Sequence, residues 1–148
     1  MKAVLQRVKY SRLKVDGEVI SEIGQGLLVF LGVGKGDSEQ ACEKMAKKIA
    51  NLRIFEDENG KMNLSCLDIN GEVLLVSQFT LYGDCSHGNR PSFFNAENPE
   101  IANNLYEKFK ICLENNKLSV KTGIFGADMK IELLNDGPVT IILDDKEL

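Results

Sequence analysis

Apolar residues recur through Ala3–Tyr10 (AVLQRVKY) and alternate with polar ones at the start of Arg12–Ile20 (RLKVDGEVI), which predicts two opening strands. Asp16-Gly17 is a tight-turn signal. Gly26–Gly34 (GLLVFLGVG) is almost wholly apolar, as a strand covered on both faces is. The period then changes. Over Ser38–Leu52, Cys42, Met45, Ala46 and Ile49 recur at helical spacing, with Lys44, Lys47 and Lys48 on the other face and Asp37 or Ser38 as cap. Phe55–Asn63 reads as a loop with a turn at Asn59-Gly60. A second turn at Asn70-Gly71 leads into a long central strand, EVLLVSQFTLYG, over Glu72–Gly83. Gly83–Pro99 is a long loop of turn-forming residues, of the kind that often carries function. Asn98-Pro99 opens a second helix, with cap and first-turn proline in their favoured places. Its inward stripe is Ile101, Leu105, Phe109 and Cys112 or Leu113. Three strands end the chain: LSVKT, MKIELL and PVTIILD.

The order is two strands, then strand–helix twice, then three strands. It predicts one α/β domain over residues 1–148, built as a three-layer or barrel-like mixed sheet with both helices on one side. A chain of 148 residues can bury a core of that size. So many strands leave edges, which a second copy of the chain can cover.

Composition narrows the chemistry. The net charge of −4 and pI of about 5.1 exclude broad, sequence-independent phosphate binding, yet leave room for a polyanion touched only at its tip. No apolar run is long enough to span a bilayer and MKAVLQRVKY is no signal peptide, so the expected location is cytoplasmic. Cys42, Cys66, Cys85 and Cys112 show no C-x-x-C spacing, which argues against zinc and dithiol chemistry. Cys42 and Cys112 fall on apolar helix faces and read as buried free thiols. The one histidine, His87, lies in a polar, glycine-flanked loop and reads as a surface residue. The DENG stretch lacks the alternating ligands of a calcium loop, and LGVGKGDSE matches neither glycine-rich phosphate motif.

Two stretches remain. In Ser77–Leu81 (SQFTL), polar residues interrupt an otherwise apolar strand. Spacing leaves two readings open: solvent-facing alternation, or a strand end offering N–H and hydroxyl groups to a carbonyl. In Asn135–Thr140 (NDGPVT), Asp-Gly between apolar runs signals a hairpin, but Pro138 has no N–H for the second strand's ladder. A trans-proline turn is the default, because only about 5–6% of X–Pro bonds are cis. Gly137 tolerates close backbone approach, so the pair could hold two carbonyl oxygens in one orientation.

Together SQFTL and NDGPVT resemble the paired signatures of the D-aminoacyl-tRNA deacylase family. LQRV, SEIGQGLLV, NLRIF, GKMNLS, GNRPSF and TGIFGADMKIELLNDGPVT resemble it in the same order, over nearly the whole chain. Only the tail DDKEL falls outside. A sister family acting on L-alanyl-tRNA carries Pro-Gln-Ala where this chain has Ser77-Gln78-Phe79, so the resemblance is to the D-specific branch.

The resemblance implies a homodimer with active sites at the subunit interface. Each Gly137-Pro138, joined by a cis bond and held by Arg7, enters the partner's site and faces the α-carbon of the bound amino acid. Ser77, Gln78, Phe79 and Thr80 form the candidate catalytic set, with Phe79 and Thr80 offering backbone N–H groups near the aminoacyl carbonyl. Phe125, Ala127 and Met129 lie where the terminal adenosine is expected. The implied partners are the aminoacylated 3′ end of tRNA and a second copy, with no membrane or DNA. No metal or organic cofactor is expected.

The expected reaction is hydrolysis of D-aminoacyl-tRNA, with glycyl-tRNA also accepted. Thr80 as nucleophile and a water assisted by the tRNA ribose are the two candidate mechanisms, and the resemblance favours the second. The competing functions are the L-alanyl-selective relative and a non-catalytic RNA-end binding module.

Overall fold

The computed structural model describes residues 1–148. In chain order it contains β1 (Lys2–Val15), β2 (Glu18–Ile23), β3 (Gly26–Gly32), α1 (Glu39–Asn51), β4 (Phe55–Glu56), β5 (Met62–Leu64) and β6 (Glu72–Ser77). A 3-10 turn (Phe79–Tyr82), α2 (Pro99–Asn115), β7 (Ser119–Thr122), β8 (Met129–Asp144) and a 3-10 turn (Asp145–Glu147) follow.

One mixed sheet organises the molecule. β3, β6 and β7 run parallel to one another, whereas β1 is antiparallel to β2, β3 and β8. The sheet curls until β2 meets β7. There the Ser21 hydroxyl donates to the Thr122 carbonyl at 2.5 Å, and Lys121 Nζ donates to the Glu22 carbonyl at 2.6 Å. The result is a nearly closed barrel with both helices on one side.

Strand alternation divides the core. Leu27, Val29, Leu31, Val73 and Leu75 face the helices, where they meet Met45, Ile49, Leu105 and Phe109. Leu28, Leu74 and Val76 face the barrel interior with Val8, Leu13 and Ile23. This is why β3 and β6 read as unbroken apolar runs: neither face meets water.

The helices follow their caps. The Ser38 side chain accepts from the Ala41 amide, and Asn98 accepts from Glu100 ahead of Pro99. Cys42 and Cys112 are buried free thiols. Burial pushes the Cys42 thiol up to about 12, so it is inert as a nucleophile near neutral pH.

The structure corrects several boundaries. β1 runs from the first predicted strand through Arg12–Val15 of the second, past buried Ser11, which donates to the Glu132 carbonyl at 3.1 Å; beyond the Asp16-Gly17 turn the rest of the second belongs to β2. The Phe55–Asn63 loop carries the small β4–β5 hairpin. Ile101 is 49% exposed, because α2 turns Ala102, Leu105, Tyr106 and Phe109 inward and Ile101 falls beside that stripe. The expected long strand through SQFTL stops at Ser77. The Gln78 amide still reaches the Leu31 carbonyl at 2.8 Å, but Phe79–Tyr82 coil against β3. Gly34 makes room for this turn: a Cβ there would lie 2.4 Å from the Tyr82 ring. Gly32 and Gly34 of LGVGKG thus serve close packing, whereas Gly36 has open space around it and takes φ 84°.

The last correction concerns NDGPVT. It is no hairpin, and the three terminal strands are two. β8 runs through it, because both of its halves pair with β1. Val8 pairs with Asn135 and Gln6 with Thr140, so Asp136–Val139 lie opposite Arg7 alone. The excess bows outward as a bulge. Within it the Gly137–Pro138 peptide is cis and Gly137 has φ 130°.

Candidate active site

Where β3 and β6 end, the chain leaves a cleft of about 570 Å³. Its walls come from the end of β6 (Val76, Ser77), the 3-10 turn, the long loop, the start of α2 and the Phe125–Ile131 segment. Ser77, Gln78 and Phe79 therefore meet Phe125, Ala127 and Met129, residues about fifty positions later in the chain. The lining is mostly apolar and aromatic, with few polar groups, as suits a flat, partly apolar ligand.

Sequence reasoning missed part of this wall. Phe93 meets the Phe79 ring edge-on, with centroids 5.0 Å apart and planes at 71°. Glu97, Pro99 and Ala102 also line the cleft. The length of the Gly83–Pro99 loop and the GNRPSF fragment were the only signals pointing to them. Phe125 leans on Tyr106 at 6.1 Å. Tyr106 in turn donates its hydroxyl to the Leu75 carbonyl at 2.8 Å, and burial raises its phenol further above the usual range. Tyr106 is a support for the aromatic wall.

Thr80 lies next to the cleft lining and is exposed. Gln78 Nε2 donates to its Oγ1 at 2.5 Å. An amide cannot take a proton from a hydroxyl, so this contact orients Thr80 without activating it. The amides of Phe79 and Thr80 open the 3-10 turn and lack acceptors within it. His87 is exposed and does not line the cleft.

Arg7, Gly137 and Pro138 do not line the cleft either. Arg7 pairs across β1–β3 with Leu27, whereas the 3-10 turn packs on Gly32. Five strand residues separate those levels, about 16 Å along β3. Around Arg7 the geometry is tight. Arg7 is only 4% exposed. Nη1 donates to the Ile54 carbonyl at 2.7 Å and Nε to the Asp136 carbonyl at 3.0 Å. A Cβ on Gly137 would lie 3.0 Å from Arg7 Nη2. Gly137 and Pro138 themselves are exposed. One chain thus carries a cleft at one level and a braced backbone protrusion at another.

The family model described as D-Tyr-tRNA(Tyr) deacylase matches residues 4–144. The chain belongs to this family. It is 57% identical over 148 residues to the D-aminoacyl-tRNA deacylase of Thermosipho africanus (strain TCF52B), covering 100% of this chain and 99% of that protein. The Aquifex aeolicus (strain VF5) D-aminoacyl-tRNA deacylase is also 57% identical, with both chains fully covered. A solved structure of a c-Myc DNA Unwinding Element Binding Protein superposes with TM-score 0.91 at 45% identity, covering 97% of this chain and 98% of that one. Another, described as "a probable eukaryotic D-amino acid tRNA deacylase", superposes with TM-score 0.83 over 96% of this chain and 97% of that one. At 15% identity it shows the shared fold alone. Membership in the family makes the chain an enzyme of the hydrolase class, a deacylase. No helix is long and apolar enough to cross a membrane.

Proposed function

We propose that this deacylase hydrolyses the ester of D-aminoacyl-tRNA in the cytoplasm as a homodimer, and that a second copy's Gly137-Pro138 reads the hand of the amino acid. The observation that carries this reading is the exposed backbone protrusion at Gly137-Pro138, clamped from beneath by buried Arg7.

D and L amino acids differ by exchange of hydrogen and side chain at one carbon. A fixed backbone wall beside that carbon excludes an L side chain of any identity and leaves a D side chain free to project elsewhere. Glycine has nothing to exclude, so glycyl-tRNA is accepted too. The wall must come from another copy, because within one chain it stands about 16 Å along β3 from the turn carrying Thr80. Exposed apolar groups on both sides support such an assembly: Phe79 and Phe94 near the cleft, Leu134 and Ile142 on β8. β8 pairs only with β1, so its other edge is open.

In this reading the terminal adenosine lies in the apolar cleft against Phe125, Ala127 and Met129. The ester carbonyl points at the Phe79 and Thr80 amides, which stabilise the oxyanion. Ser77 ends β6 beneath the turn, and Gln78 orients the Thr80 hydroxyl toward the reacting group. Thr80 has no base to make it a nucleophile, so water attacks with help from the vicinal ribose hydroxyl of the substrate.

Matched D-tyrosyl-, L-tyrosyl- and L-alanyl-tRNA test this by the rate of ester loss. Release from the D ester alone is expected. Release from L-alanyl-tRNA instead, or binding without release, would overturn it.

A further inference from the structure

We infer that Asn135 is a positioning residue for the Gly137-Pro138 wall, closing from the C-terminal side a clamp that Arg7 closes from the N-terminal side. The inference rests on the reading that this wall selects the substrate's hand.

The argument starts from register. Between the Val8–Asn135 and Gln6–Thr140 pairs, β1 contributes one residue and β8 contributes four. The ladder to β1 therefore cannot hold Asp136–Val139. A bulge of that length needs other partners for its backbone, or it is free to move. Arg7 supplies them at the leading end, through the Asp136 carbonyl at 3.0 Å. Asp136 itself is held in place by ion pairs with Lys9 at 3.2 Å and Arg7 at 3.7 Å.

The trailing end has a different fastening. Asn135 Oδ1 accepts from the Val139 amide at 3.1 Å, spanning the bulge from its first flanking residue to its last. Asn135 Nδ2 donates to Thr140 Oγ1 at 3.1 Å. Thr140 is met from β1 by Gln6 Nε2 at 3.4 Å. One side chain thus ties together the two points where β8 leaves and rejoins the ladder. This fixes the width of the loop, and with it the direction in which the exposed Gly137 and Pro138 project. Val139 is buried beneath, so the loop can tilt only by letting that amide go. Arg7 alone would leave a hinge at Val139–Thr140.

The residue type fits the task. An amide both accepts and donates across a short span, which an apolar residue of equal size cannot do. Asp at 135 would keep the acceptor for Val139, and the Thr140 hydroxyl can rotate to donate to it. Asn135→Asp is therefore the conservative variant, and Asn135→Ala removes both bonds.

The test measures kcat and KM for D-tyrosyl- and L-tyrosyl-tRNA separately, on the full chain. Asn135→Ala is expected to lower the D-to-L ratio of kcat/KM by about tenfold, mostly through faster L-ester loss, while D-ester kcat changes less. Asn135→Asp is expected to restore most of the ratio. A purely structural role would lower both rates together and spare the ratio. Thr140→Val, at an exposed position, removes one arm of the clamp and decides the matter if Asn135→Ala folds poorly; a smaller fall in the ratio is expected. An unchanged ratio in the folded variants overturns the inference. Wild-type protein that releases no D-amino acid instead sinks the functional reading beneath it.

Discussion

Arg7 donates from Nε to the main-chain carbonyl of Asp136, the residue that immediately precedes Gly137. The guanidinium is buried and reaches the Ile54 carbonyl as well, so one planar group joins β8 to the segment after α1. Lysine could make neither bond with the same geometry, since its ammonium is a point charge on a flexible stem. Arg7→Lys is expected to cost about 1.5–3 kcal/mol of stability through the loss of charge-assisted bonds. It should also raise hydrolysis of L-tyrosyl-tRNA relative to D-tyrosyl-tRNA. Denaturant unfolding and paired deacylation assays check the two effects. A variant with unaltered selectivity would show that the wall does not depend on this brace.

Thr80 offers a sharp choice between mechanisms. Its hydroxyl is met by an amide and by no base. If water attacks, Thr80→Ala should keep activity within about tenfold of the parent, the scale of one hydrogen bond. Removal of a nucleophile costs on the order of 10⁴-fold or more. Single-turnover rates at saturating enzyme distinguish these outcomes.

Phe125 forms part of the aromatic wall proposed to receive the terminal base. Base–aromatic stacking is worth about 1–3 kcal/mol. Phe125→Ala should therefore raise KM by about tenfold, with kcat nearly unchanged, as for uniform binding lost. Steady-state kinetics with D-tyrosyl-tRNA test it. A fall in kcat at constant KM would place the base elsewhere.

Glu72 gives a pH dependence. Its carboxylate accepts from the Gly24 amide at 3.0 Å and pairs with Lys121 at 3.2 Å, and these contacts hold its pKa below the ordinary 4.5. The folded state thus favours the charged form. The stabilisation is complete above about 4.5 and is lost as pH falls through the lower folded value. Glu72→Gln should show a lower Tm than the parent at pH 7, with the gap narrowing below pH 4.5. A constant gap across that window would assign the effect to packing.

Much of this was legible in the chain. Doubly apolar runs mark β3 and β6 because burial on both faces leaves no polar alternation, and both helices announce their caps. The errors share a cause. SQFTL has strand-like spacing, but the close approach of Tyr82 to Gly34 bends the chain into a turn, and no local pattern encodes a contact 48 residues away. NDGPVT carries hairpin chemistry, yet β1 runs alongside both halves of β8 and holds them in line. Ile101 sits one helical step from the buried stripe. At the cleft, SQFTL stands out by its own polar interruption of an apolar run, whereas FGADM is pointed to only by the family resemblance. Phe93 and Glu97 do not stand out, because tertiary folding alone brings their loop to the cleft. Asn135 looked like an ordinary turn residue until its partners were known.

β1 and β8 are neighbours from Lys2–Asp144 to Val15–Met129. One edge of β1 is taken by β2 and β3, its neighbours in sequence, whereas the other is taken by β8, far later in the chain. Pairings this remote in sequence form slowly and leave sticky intermediates. During translation, the second edge of β1 thus waits until β8 has cleared the ribosome, after β2 and β3 have already taken the first.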